Sequence, residues 1–125
     1  MIHEEICTYE VCKLAKEKGF NWVCPHYFRL NDKDLFMIFP SEDWSDIGER
    51  INAPTQSLLQ RWLREEKKIS VEVSWFDVGK KYFWVAKDMN NHDAFKPKTT
   101  KCMTFYDTWE QALEHGLKYA LKELK

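Results

Sequence analysis

The sequence predicts an α+β domain, and three observations carry that prediction. Residues 69–76 alternate apolar and polar with period two, as a half-buried strand does. Apolar stripes at helical spacing follow Thr8, Thr55 and Thr108, three residues suited to capping a helix. Two pairs of strand-like runs, one on each side of the central helix, are joined by turn compositions. In chain order this gives αββαββα, an antiparallel sheet of two hairpins packed with three helices. Residues 102–106 are open as a short fifth strand. The chain has 125 residues, 44% hydrophobic and 31% charged, which fits one globular domain spanning 1–125.

The first helix is expected from Thr8, with Val11, Cys12, Leu14 and Ala15 inward. Gly19 stands where a left-handed residue would stop it, and Phe20 is placed to fold back on the last turn. The first hairpin pairs 26–30 with 35–39 across Asn-Asp-Lys-Asp. If Leu30 faces Leu35, then Phe28, Leu30, Leu35, Met37 and Phe39 share one face. Tyr27, Phe36 and Ile38, with Arg29, occupy the other. Segment 40–52 has no period. Its four acids, Glu42, Asp43, Asp46 and Glu49 around Trp44, read as a solvated loop rather than a fixed catalytic pair.

The central helix starts at about Thr55 behind Pro54 and turns Leu58, Leu59, Trp62 and Leu63 inward. Arg61, Arg64, Lys67 and Lys68 lie on its other side, crowded toward the end where the helix dipole favours cations. Glu66 projects from the apolar stripe and reads as wet. In the strand that follows, Ile69, Val71, Val73 and Trp75 face the core. A Gly79-Lys80 turn would set Trp75 opposite Trp84, Val73 opposite Ala86 and Phe76 opposite Phe83, with Val85 on the same outer face.

Residues 88–101 read as a polar loop, and its His92-Asp93 as a solvated turn. Thr108 and Gln111 fit a capping box for the last helix. Trp109, Ala112, Leu113, Gly116, Leu117, Ala120, Leu121 and Leu124 form its stripe, with Gly116 marking a close approach. Glu114, Lys118 and Lys122 make an outward ladder at i,i+4 spacing.

Composition limits the function classes. A formal net charge of −1 gives no overall attraction to nucleic acid. No run approaches the length of a membrane helix, and the N-terminal Met-Ile-His-Glu-Glu-Ile has acids where a signal peptide has bases, which points to the cytoplasm. The cysteines Cys7, Cys12, Cys24 and Cys102 match no paired zinc spacing and read as buried thiols, including Cys24 beside His26. No phosphate-binding glycine loop, nucleophile elbow or metalloprotease helix is present. No catalytic residue, metal or cofactor is therefore expected.

Thr8-Tyr9-Glu10 with Lys18-Gly19-Phe20, Ala53-Pro54-Thr55 with Arg61-Trp62-Leu63-Arg64-Glu65, and Thr108-Trp109-Glu110-Gln111-Ala112-Leu113 together span most of the chain. On these residues the chain resembles small proteins from phage, prophage and mobile elements of gut bacteria, a group with no established activity. The resemblance implies a cytoplasmic accessory protein.

Two surfaces emerge as candidates. Tyr27, Phe36, Ile38, Phe76, Phe83 and Val85 would share the second face of a single sheet, where a sheet covered on one side should carry polar residues. Such a patch predicts a protein partner, first of all a second copy of the chain. The alternative is nucleic-acid binding through Arg61, Arg64, Lys67 and Lys68.

Overall fold

The computed structural model describes residues 5–22, 24–29, 35–37, 50–89, 94–95 and 104–124. Three helices are present, α1 (Tyr9–Glu17), α2 (Gln56–Glu66) and α3 (Trp109–Glu123). The strands are β1 (His26–Arg29), β2 (Leu35–Met37), β3 (Arg50–Asn52), β4 (Ile69–Phe76), β5 (Lys81–Asp88) and β6 (Ala94–Phe95). The α+β order αββαββα is thus the observed one, with β3 and β6 added to the two hairpins.

Local chemistry accounts for the helix ends. The hydroxyls of Thr8, Thr55 and Thr108 accept from the amides of Val11, Leu58 and Gln111, satisfying donors that a first turn leaves open. Gln111 returns the favour to the Thr108 amide at 3.3 Å, completing the capping box. At the end of α1, Gly19 adopts φ 100, the Phe20 amide donates to the Ala15 carbonyl at 2.9 Å, and the Phe20 ring is buried. This is the left-handed ending expected from Gly19-Phe20.

The strands divide between two antiparallel sheets, ordered β2-β1-β3 and β4-β5-β6, rather than forming one. β3 falls within the stretch read as an unpatterned loop. Three residues are too few to show alternation, and its pairing with β1 comes from elsewhere in the chain. Both hairpins sit two residues away from the expected register. Phe28, not Leu30, faces Leu35, and Phe76 faces Lys81, so that Trp75 opposes Tyr82 and Val73 opposes Trp84. A shift of two leaves every side chain on its expected face. In the second hairpin the turn is four residues long, Asp77 to Lys80, with Lys80 taking φ 54. Gly79 serves as clearance: a Cβ there would lie 3.0 Å from the Phe76 ring. Residues 102–103 of the expected fifth strand lie outside the described residues; of the remainder, Tyr106 forms an isolated bridge to Tyr82.

The core lies where α3 crosses β4 and β5, with α2 against β4 and α1 against α3 and β3. Trp62, Leu63, Val71, Ala86, Leu113, Leu117 and Leu121 are all buried in one cluster. Gly116 is the point of closest approach, since a Cβ there would stand 2.9 Å from Trp84 Cβ and Val71 Cγ1. Leu58 and Trp84 pack on the cluster only in part, and Trp75, expected inside, is 48% exposed. The hairpin simply runs past the end of the helix layer.

A single carboxylate ties the helix openings together. Glu114 of α3 accepts from the Thr8 amide at 2.9 Å, from the Thr8 hydroxyl at 2.8 Å and from Gln56 Nε2 at 3.0 Å. Gln56, buried, also donates to the Glu110 carbonyl at 2.9 Å. The outward ladder expected of Glu114 and Lys118 is therefore replaced by tertiary partners. Lys118 pairs with Glu10 of α1 at 2.7 Å and holds that carboxyl below its ordinary range. Glu114 is held by the Thr8 cap and the buried Gln56 amide, and Lys118, half-buried one turn away, is left to Glu10.

Candidate functional site

The far end of the β4–β5 hairpin gathers the exposed aromatic surface. On the inner face Trp75 meets its partner Tyr82 at 4.8 Å between ring centroids, and Tyr82 meets Trp109 at the start of α3 edge-on at 6.2 Å. On the outer face Phe105 stacks on Phe76 at 5.1 Å and stands edge-on to Phe83 at 6.1 Å. Two backbone hydrogen bonds between Tyr106 and Tyr82, 2.8 and 2.9 Å, hold Phe105 in place. Even so, Trp75, Phe76, Phe105 and Trp109 are 48%, 40%, 38% and 46% exposed. Charged pairs rim the patch: Lys80 with Asp77 at 3.3 Å, and Lys81 with Asp107.

This arrangement corrects the expected patch. Phe76, Phe83 and Val85 do share the outer face of β4–β5, but Tyr27 and Phe36 belong to the other sheet. Tyr27 is also buried, and so is its neighbour Phe28, which means that both faces of β1 are covered. Ile38, the loop acids 42–49 with Trp44, and His92-Asp93 lie outside the described residues. Trp75, Tyr82, Phe105 and Trp109 were not among the sequence candidates. Trp75 and Trp109 follow the inward period of their elements, and nothing local tells that the elements outrun the core. For Phe105 the signal was its place between Thr104 and Tyr106, an aromatic pair in a polar neighbourhood.

The second candidate, α2 with the two residues that follow it, presents all four cations to solvent. They are not equivalent. Arg61 donates from Nε to Glu65 at 3.1 Å, and its guanidinium lies 6.0 Å over the Trp22 ring. The Lys67 ammonium lies 5.5 Å over the Trp62 ring. Lys68 takes a left-handed backbone, φ 59, at the corner between α2 and β4. Glu66 is exposed, as expected. Beside the first turns of α2 is a groove of about 530 Å³, lined by His26, Thr55, Ser57, Gln60, Arg61 and Arg64 among others.

The thiols are interior. Cys7, Cys12 and Cys24 are free and buried. Cys12 donates to the Cys7 carbonyl at 3.5 Å, and Cys24 to the Trp22 carbonyl at 3.4 Å. Its hydrogen bond with Cys12, then burial, pushes the Cys7 thiol up, and burial pushes Cys24 up to about 11. Such thiols stay protonated and poorly nucleophilic. Among the described residues no group of three His, Cys, Asp or Glu could hold a metal ion, and no helix is long and apolar enough to cross a membrane. Cys102 lies outside the described residues.

Comparison with family models, with curated proteins and with solved structures finds no match for the chain. The expected kinship with proteins of phage and mobile elements therefore draws no support from those comparisons.

Proposed function

We propose that the chain is a cytoplasmic, non-enzymatic accessory protein that acts by protein contact, first of all with a second copy of itself. The observation that carries this reading is the cluster of Trp75, Phe76, Phe105 and Trp109, each more than a third exposed at one end of the molecule. Large aromatics grouped this way are the usual anchors of protein interfaces, and leaving them wet forgoes apolar burial. The rim supports a second copy as the occupant. It carries both members of two Lys–Asp pairs, so the patch is its own charge complement when related by a two-fold axis.

Strand geometry supports the same reading. Among the described residues β5 is the only strand beside β4. Near the start of β4, Gln60 of α2 covers the edge by donating to the Val71 carbonyl. Beyond it, residues 73–76 offer backbone groups that a second β4 could pair, next to the exposed Trp75 and Phe76. Light scattering at micromolar concentration should report a dimer for the wild type. Trp75→Lys or Phe76→Lys should give a monomer with an unchanged circular dichroism spectrum. A wild-type monomer under those conditions would overturn the proposal.

A further inference from the structure

The geometry points to a phosphate-binding groove between α2 and the start of β1, built on Arg61 and Arg64 and independent of the hairpin surface. The two arginines stand one helical turn apart, and both line the groove of about 530 Å³. Arg61 is already positioned. Glu65 engages its Nε at 3.1 Å while the guanidinium lies over Trp22, which leaves the two terminal nitrogens to donate elsewhere. Arg64 has no ion pair or hydrogen bond among the described residues, so its whole fork is available.

The rest of the lining suits the same ligand. The Thr55 oxygen accepts from the Leu58 amide at 3.2 Å and lies 3.3 Å from the Ser57 oxygen, one hydroxyl donating to the other, so the groove wall beside the two guanidiniums is polar. His26 brings an imidazole from the β1 side, and its buried Nδ1 has no hydrogen-bond partner. Two guanidinium forks one turn apart on a helix face, against a polar wall, match the several oxygens of a phosphate better than a planar carboxylate, which one guanidinium satisfies. The groove is much larger than one phosphate, so the ligand is a phosphate carried on something longer: a phosphorylated small molecule or a nucleic-acid backbone.

Solution binding separates these sources. Inorganic phosphate, a nucleoside monophosphate and a single-stranded oligonucleotide should each be titrated into the full chain, with acetate as control. Phosphate-bearing probes should raise the melting temperature, and acetate should not. Arg64→Ala and Arg61→Ala, both at exposed positions, should each weaken binding by roughly tenfold without changing the fold. If the oligonucleotide binds far more tightly than the monophosphate, with affinity falling steeply in salt, the backbone is the source. If the monophosphate binds as well as the oligonucleotide, the source is a small molecule. No shift with any phosphate probe, equal protection by acetate, or unchanged binding in both variants would overturn the proposal.

Discussion

The two hairpins of this protein start from similar patterns and end in opposite situations. The first, β1–β2, has its middle strand flanked on both sides, and the adjacent residues Tyr27 and Phe28 are both buried. The second, β4–β5, is eight residues long on each side and passes beyond α3, so its burial fades along β4 from Ile69 to Phe76. Both carry aromatics on two faces. What separates a core from a candidate interface here is how far the strands reach past their cover, not how apolar they are.

The sharpest way to break that comparison is to treat two tryptophans alike. Trp62 is 2% exposed and meets Phe20 edge-on at 5.3 Å, whereas Trp75 is 48% exposed. Trp62→Ala should cost about 3–5 kcal/mol, enough to unfold a small domain, while Trp75→Ala should cost under about 1 kcal/mol. Urea titration of the two variants checks this. Equal losses would mean the far end is as much core as the near one.

A smaller effect is expected at two glycines. Gly116→Ala must push Trp84 or Val71 away, because the contacts of 2.9 Å involve atoms close to their own backbones. We expect about 1–3 kcal/mol of strain, only partly offset by the roughly 1 kcal/mol that alanine contributes to a helix interior. At Gly79 the obstacle is the edge of the exposed Phe76 ring, which can swing, so Gly79→Ala should stay within about 0.5 kcal/mol. Thermal melts would separate the two. A stabilised Gly116→Ala would mean that α3 and the sheet can part at no cost.

The last effect shows only at alkaline pH. Burial raises Cys24 from 9.0 to about 11. Between those values the unfolded chain loses the proton and the folded chain keeps it, so stability must fall as pH rises. The contribution is intact below about pH 9 and is lost progressively toward pH 11, by up to about 1.4 kcal/mol per pH unit. Denaturant midpoints for wild type and Cys24→Ala should converge over that range. Parallel curves would show that Cys24 does not gain its proton affinity from folding.

Much of this was legible in the chain because it is local. Thr8, Thr55 and Thr108 cap within three residues of themselves, and Gly19 ends a helix by its own backbone freedom. Gly116 could be read as a close approach because it interrupts an otherwise apolar stripe. Alternation fixed the faces of both hairpins, but a period of two is blind to a slip of two, and so to a turn of four residues rather than two. Distant partners left no local trace. Glu114 turns toward Thr8 and Gln56, and Phe105 is held through a bridge at Tyr82. The basic residues of α2 were legible as a face, whereas the groove that Arg61 and Arg64 share with His26 required β1 to be brought beside them.

The Glu114 tie also sets an order of events. Thr8 and Glu114 are 106 positions apart, as are Lys18 and Leu124, whose carbonyl accepts from the Lys18 ammonium at 2.6 Å. Glu10 and Lys118 bind across the same pair of helices. On a ribosome, α1 emerges long before any of these partners exist, and closing so large a loop is slow. The part of α1 that packs on α3 must therefore wait until α3 has been made, although its contacts with β3 can form earlier. A nascent chain arrested before α3 should be sensitive to protease around residues 9–17 even when α2 and the second hairpin have already formed.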